Sequence, residues 1–169
     1  MIIFETPRLL VRQYTADDAD KFFLLNGDEE VMRHIRKAMN KEDADKFLQQ
    51  NIEFYYANPH LGRWAVEDKE NNNFIGSFAL IPLPFEEEKH KIQIGYSLLS
   101  AEWGKGYATE LTAIGRDYFF QQHPFNELHG ITTMANIPSQ KVLLKCGFAE
   151  NGTKQDGEEL LQRFIYKRQ

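Results

Sequence analysis

Apolar and polar positions change their spacing along this chain, and the changes divide it into elements. Arg8-Leu-Leu-Val-Arg-Gln-Tyr14 is rich in strand formers and follows Pro7, which predicts an opening strand. Thr15-Ala-Asp-Asp18 then reads as a helix N-cap with acids in the first turn. The helix it opens carries Phe22, Phe23 and Leu25 and stops at Asn26-Gly27. A second, short helix is predicted over Asp28–Ile35, with Val31, Met32 and Ile35 at helical spacing. Asn40-Lys-Glu-Asp43 is another cap. Its helix runs to about Tyr56 with Phe47, Ile52 and Tyr55 as the core face, and Asn58-Pro59 ends it.

The middle of the chain switches to strands. Arg63–Asp68 and Phe74–Ile81 form a predicted hairpin around the polar turn Asp68–Asn73, and Pro82, Pro84 and Glu86-Glu-Glu88 make a solvated loop. Lys91–Leu99 is a further strand, in which Ile92, Ile94 and Tyr96 alternate with Gln93, Gly95 and Ser97. Gly106 to about Gln122 returns to helical spacing, with Ala108, Leu111, Gly115 and Tyr118 on one stripe, and His123-Pro124 ends it. Glu127–Met134 is a strand and Ile137–Cys146 a short helix with Gly147 as its C-cap. Phe148–Lys154 and Glu159–Arg168 close the chain as an antiparallel pair around Gln155-Asp-Gly157. This order predicts a single mixed α/β domain over residues 1–169, mostly antiparallel, with one strand–helix–strand unit whose strands can run parallel.

Composition narrows the function classes. A chain of 169 residues that is 42% hydrophobic, with 13 Phe, 7 Tyr and 2 Trp, has the core-forming residues that disordered chains lack. Its longest apolar runs, such as Phe78-Ala-Leu-Ile81, fall far short of the ~20 residues that span a bilayer. No basic segment precedes an apolar one at the N-terminus, and the single cysteine, Cys146, cannot form an internal disulfide; both favour the cytoplasm. A net charge of −5 argues against direct nucleic-acid binding and requires any anionic ligand to be held by a local device. His34, His60, His90, His123 and His129 never fall four residues apart, so no metal is expected.

That local device is sought in Ile92–Ala108, IQIGYSLLSAEWGKGYA, where a strand runs into Gly104-Lys-Gly106 and a helix follows at once. Glycines there allow a tight turn, and the helix N-terminus adds unpaired N–H groups and partial positive charge, a cradle for phosphate or pyrophosphate. Lys105 adds a charge or simply faces solvent. The segment is neither a P-loop, which needs four residues between its glycines and a following Lys-Ser/Thr, nor a dinucleotide fingerprint, because position 109 is Thr. Taken alone, the pattern fits a tight strand–helix turn as well as a ligand cradle.

Trp103-Gly-Lys-Gly-Tyr-Ala-Thr-Glu110 resembles the acetyl-CoA pyrophosphate loop of the GNAT N-acetyltransferase superfamily, in the branch of the ribosomal-protein N-terminal (RimJ/RimL-like) acetyltransferases. Glu5-Thr-Pro-Arg-Leu-Leu-Val-Arg12 with Thr15–Asp18 is similar to that branch's opening strand and helix, and Ile94-Gly-Tyr-Ser-Leu98 to its fourth strand. Asn136-Ile-Pro-Ser139 with Leu144-Lys-Cys-Gly-Phe148 resembles its second CoA-binding helix. The resemblance covers essentially the whole chain. It implies a mostly antiparallel twisted sheet of about six to seven strands flanked by helices, splayed between the fourth and fifth strands. It implies acetyl-CoA as co-substrate, no metal, and a small-molecule or peptide/protein amine as acceptor; homodimers are common among such relatives.

Roles follow position by position from the resemblance. Leu98 and Leu99 would offer backbone groups to the pantetheine arm and the acetyl carbonyl, and Gly104, Gly106, Ala108 and Thr109 would present N–H groups to the pyrophosphate. Trp103 stands where the loop's usual Gln or Arg leads, one polar contact fewer. Asn136 would bond the pantetheine, Ser139 would sit near the thiol, and Lys145 would reach a CoA phosphate, although a lysine in a last helical turn is favoured by the dipole anyway. Gln93 replaces the Glu that many relatives use as base, and Leu143 replaces their Tyr acid. Ser139 is then the best remaining hydroxyl for the leaving thiolate and Tyr96 the second, though capping or core packing explains either residue as well. Glu110 needs no catalytic role at a helix start, and Cys146 reads as a buried filler, which favours direct transfer over an acyl-enzyme. The Asp28–Tyr56 helices and the Pro82–Lys91 loop would flank the acceptor, with Asp28, Glu29 and Glu30 as acids beside it. A catalytically silent acyl-CoA-binding module and a plain nucleotide-phosphate binder are the competing readings.

Overall fold

The computed structural model describes residues 1–169. Its strands are β1 (Ile2–Glu5), β2 (Leu9–Gln13), β3 (Gly62–Asp68), β4 (Phe74–Pro82), β5 (Ile92–Leu98), β6 (Glu127–Thr133), β7 (Ala149–Asp156) and β8 (Glu159–Lys167). Its helices are α1 (Ala19–Asn26), α2 (Glu29–Met32), α3 (Lys41–Ala57), α4 (Tyr107–Gln122) and α5 (Ile137–Lys145). Eight strands form one sheet in the order β1-β2-β3-β4-β5-β6-β8-β7, one more than the six to seven the sequence predicts. The additional strand is β1. It pairs antiparallel with β2 across Thr6-Pro-Arg8, where Thr6 Oγ1 accepts from the Leu9 N–H at 2.8 Å. Four residues on a sheet edge carry too little alternation to be read as a strand.

The closing hairpin also folds back. β8 runs antiparallel to β6 from Glu127↔Lys167 to Thr133↔Leu161, so it lies between β6 and β7. Helix boundaries track the caps. Asn40 accepts from the Asp43 N–H and opens α3 as expected, but its buried face is Ala44, Leu48, Asn51 and Tyr55, with Phe47 and Ile52 flanking it. Thr15–Asp18 forms a single 3-10 turn before α1, and α2 stops at Met32, three residues before the predicted end.

The two sheet faces have different partners. Strand alternation puts Phe78, Ile94, Tyr96 and Leu98 on the face covered by α4 and α5, where Gly115 brings α4 directly onto the Phe78 ring. The opposite face takes Tyr14, Ala65 and Ser77 under α1 and α3, through Phe22, Ala44 and Leu48. Leu99 continues that second face and packs with Leu25, Val31 and Met32 of α1 and α2.

All pairings are antiparallel except β5 with β6, which is parallel and meets only at Gln93↔His129. Beyond that bridge the two strands part. β5 stays with β4 to its end, because Gly76 opposite Leu98 leaves no side chain to push them apart; a Cβ there would lie 2.2 Å from the Ser97 carbonyl oxygen. The splay expected between these strands is therefore built by β6 leaving.

Candidate active site

Hydrogen-bond parity along β5 decides which backbone groups face the gap. The Leu99 N–H donates to the Ile75 carbonyl at 3.0 Å, so odd positions bond to β4 and the N–H groups of Tyr96 and Leu98 point toward β6. With the parallel ladder ended at Gln93, the Leu98 N–H opens onto the cleft. The Leu98 carbonyl is already engaged, accepting from the Trp103 indole N–H at 2.9 Å. Leu99 departs from expectation. Its N–H is bound by Ile75 and its carbonyl accepts from the Glu102 N–H at 2.8 Å, so it offers the cleft no free donor.

The loop after β5 fits an anion. Gly104 and Gly106 adopt φ of +75° and +82°, a region that side-chain-bearing residues rarely occupy. Gly106 is the N-cap of α4 and provides no side-chain cap, so the N–H groups of Tyr107, Ala108 and Thr109 lack helical partners at an electropositive end. A Cβ on Gly104 would meet nothing within 4 Å, which leaves open space for a ligand. Lys105 turns away from this space and pairs with Glu102 at 2.8 Å.

Arg8 braces the same loop. Its Nε donates to Glu110 at 2.7 Å, its Nη1 donates to the Lys105 carbonyl at 2.9 Å, and its guanidinium lies 4.4 Å over the Tyr107 ring. Glu110 also accepts from the Arg8 N–H at 2.9 Å and from the Thr6 hydroxyl. Burial works to raise the Glu110 carboxyl, but these hydrogen bonds hold it below the usual range. Thr6, Arg8 and Glu110 thus form a brace that sequence reasoning reads only as a strand start and a dipole acid; the Thr-Pro-Arg run is its one visible sign.

Tyr96 and Ser139 meet across the gap, hydroxyl to hydroxyl, at 2.9 Å. The two residues stand 43 positions apart in the chain. Burial pushes the Tyr96 phenol up, outweighing the Ser139 hydrogen bond, so the phenol stays protonated at neutral pH. Asn136 caps α5, its side chain accepting from the Ser139 N–H at 3.3 Å, and its amide N–H groups are left to donate to a ligand. Cys146 is buried with its thiol 3.5 Å from the Thr109 carbonyl, and Lys145, the preceding residue, is exposed. Burial raises the Cys146 thiol, the wrong direction for a nucleophile.

Of the expected site residues, Tyr96 and Ser139 share a hydrogen bond, Trp103 is bonded to Leu98, Gly104 and Gly106 lead into the first turn of α4 with Ala108 and Thr109, and Asn136 caps α5. Leu99 packs with α1 and α2, and the Lys105 ammonium pairs with Glu102. Leu143 is core, packed on Gly130, and Gln93 donates to the Pro82 carbonyl at 3.4 Å. Asp28 is spent on capping α2, accepting from the Glu30 and Val31 N–H groups.

A family model described as an acetyltransferase (GNAT) domain matches residues 8–149. An uncharacterised N-acetyltransferase of Bacillus subtilis, YoaA, is 27% identical over 168 residues, covering 98% of this chain and 89% of that one. Among solved structures, the Salmonella typhimurium acetyltransferase that modifies the N-terminal serine of ribosomal protein L7/L12 superposes with a TM-score of 0.82 at 14% identity, covering 100% of both chains. Spermidine N-acetyltransferase of Vibrio cholerae, solved with CoA and spermine, gives 0.76 at 20% identity, covering 94% of this chain and 95% of that one. No helix is long and apolar enough to cross a membrane.

Proposed function

We propose that this chain, which belongs to the GNAT acetyltransferase family, moves an acetyl group from acetyl-CoA directly to a primary amine within a ternary complex. The observation that carries this reading is the Leu98 N–H, aimed into the gap between β5 and β6 with the Tyr96–Ser139 hydroxyl pair beside it.

Transfer from a thioester to an amine requires the oxyanion to be stabilised, the thiolate to be protonated and the partners to be aligned. A fixed N–H such as that of Leu98 stabilises developing oxyanion charge, an effect worth roughly 2.7–4 kcal/mol for one well-placed donor. Holding both substrates in one cleft can add about 7–11 kcal/mol at the extreme. Ser139 Oγ, hydrogen-bonded to the Tyr96 phenol, supplies the proton to the leaving sulfur, and the phenol replenishes it. The N–H groups of Gly106, Tyr107, Ala108 and Thr109 hold the pyrophosphate, Asn136 donates to the pantetheine arm, and Lys145 meets a phosphate at the rim. The buried thiol of Cys146 takes no part, which keeps the transfer direct.

The acceptor we favour is the α-amine of a peptide or protein N-terminus. The support is the RimJ/RimL-like run of residues 5–12, whose Thr6 and Arg8 brace the α4 start. The test is acetyl-CoA turnover on peptides beginning with Ser or Ala, with spermidine as the competing amine and the product identified by mass. Acetylated peptide supports the reading. Acetyl-CoA binding without product on any amine would establish a silent binding module instead.

A further inference from the structure

The sequence supplies no base at the usual strand position, because Gln93 is an amide tied to the Pro82 carbonyl. A different titratable group lies on the other face of the sheet, at the end of β6. Four residues beyond Gln93↔His129 on the diverging strands stand Ser97 on β5, next to Leu98, and Thr133 at the end of β6. Strand alternation places Thr133 on the same face as His129, opposite Gly130, whose face carries Leu143 of α5. Thr133 therefore lies on the face away from Ser139. His34, two residues past α2, reaches over and pairs its Nδ1 with the Thr133 hydroxyl at 3.1 Å. α2 is held there by Val31 and Met32 packing with Leu99.

We propose that His34 accepts the proton of the attacking amine, an inference that rests on the transfer reading above. The cleft then has two chemically distinct sides. Tyr96 and Ser139 serve the leaving sulfur on the sheet face that carries α5, and His34 serves the incoming nitrogen from the opposite face, where Thr133 holds it. With Nδ1–H donating to Thr133 Oγ1, the lone pair sits on Nε2, which has no hydrogen-bond partner within the protein. The amine nitrogen forms the C–N bond as the C–S bond breaks. Its proton passes to His34 Nε2 and then to solvent, while the sulfur takes the Ser139 proton and leaves as the thiol. Tyr96 reprotonates Ser139, and one proton from solvent restores the Tyr96 phenol. Nothing is oxidised or reduced. Thr133 is a positioning residue that holds the ring, and the proposal takes the tautomer in which Nδ1–H donates to it.

The test uses the full chain with acetyl-CoA, peptides beginning with Ser or Ala, and spermidine, reading the acetylated product by mass. His34→Gln, whose amide can still bond Thr133, is expected to keep its Tm and its acetyl-CoA affinity within about twofold while kcat falls roughly 100-fold, the low end for a lost general base. His34→Ala is expected to regain activity with added imidazole but far less with 1,2,4-triazole, which has the same shape and much lower basicity. Wild-type-like kcat in His34→Gln, or equal rescue by both azoles, would overturn the assignment while leaving the transferase reading intact. A wild-type protein that binds acetyl-CoA and acetylates none of these amines would instead overturn the transfer reading, and the role of His34 with it.

Discussion

The indole N–H of Trp103 donates to the carbonyl oxygen of Leu98 over 2.9 Å, so the residue that ends β5 is fixed from the far side of its own turn. The two groups of Leu98 thereby have separate tasks. Its carbonyl is anchored and its N–H is left facing the gap toward β6. Although half of Trp103 is exposed, its polar atom points inward.

Trp103→Phe keeps the apolar ring and removes only that donor. A net hydrogen bond of this kind is worth about 0.5–1.5 kcal/mol, which corresponds to roughly 2- to 13-fold if it acts wholly through alignment of the Leu98 N–H. The expected result is a fall of that size in kcat with acetyl-CoA affinity held within about twofold. Steady-state kinetics beside calorimetric binding would check it, and an affinity loss equal to the kcat loss would place Trp103 on the cofactor instead.

Gly106→Val forces a β-branched residue to φ near +82°. Strain of about 1–3 kcal/mol at that position shifts the first turn of α4, and with it the unpaired N–H groups. Acetyl-CoA binding, followed by thermal shift, should be lost while the far-ultraviolet spectrum stays α/β. Intact affinity would remove the glycine turn from the binding site.

Ser139→Ala and Tyr96→Phe are expected to be strongly non-additive. Each hydroxyl is the other's hydrogen-bond partner at 2.9 Å, so either deletion would already break the proposed relay to the sulfur. Each single change should lower kcat about 10- to 100-fold with little change in acetyl-CoA affinity, and the double variant should be scarcely worse. Additive losses in a double-mutant cycle would separate the two side chains.

Gly115→Ala reverses the usual helix rule. Alanine ordinarily gains roughly 0.5–1 kcal/mol over glycine inside a helix. Here its Cβ would meet the buried Phe78 ring at 2.2 Å, and overpacking of that kind costs typically about 1–3 kcal/mol. The steric cost exceeds the gain in helix propensity, so Tm should fall by about 2–8 °C. A rise in Tm would show that α4 can lift off the ring without penalty.

Acid sensitivity should centre on Glu88. Arg163 donates to it at 2.8 Å and Lys91 at 3.0 Å, and the Arg163 hydrogen bond leads in lowering its carboxyl to about 2 against the opposing effect of burial. A carboxyl depressed in the folded state stabilises above its unfolded pKa, near 4.3, and that contribution disappears as pH falls toward 2. Glu88→Gln should be less stable than wild type at pH 7 and show a shallower loss between about pH 4.5 and 2 in denaturant titrations. Equal slopes in the two proteins would mean other carboxylates govern acid unfolding.

Much of this architecture is legible from local patterns. The Asn40 cap, the alternation of Ile92, Ile94 and Tyr96, and the Gly104-Lys-Gly106 turn each carry their own signal within a few residues. What escapes reading depends on register. The freedom of Leu98 and the engagement of Leu99 differ by one step of hydrogen-bond parity with β4, and no composition reports parity. Contacts across long stretches of chain escape for the same reason. Thr133 meets His34 over 99 positions and Arg8 meets Glu110 over 102, so a lone histidine and a first-turn acid look ordinary until the strands are placed.

The lone bridge at Gln93↔His129 is a clasp between two panels, one of strands β1 to β5 and one of β6 to β8. Above the clasp the seam is open, and a ligand bonded to both edges would close it as a zip fastener closes cloth. Such occupancy at 100 times its dissociation constant adds about 2.7 kcal/mol to folding. On the proposed reading of the site, the seam would hold faster the more acetyl-CoA or CoA surrounds the protein, so the ligand would act as a missing stretch of sheet as well as a reactant.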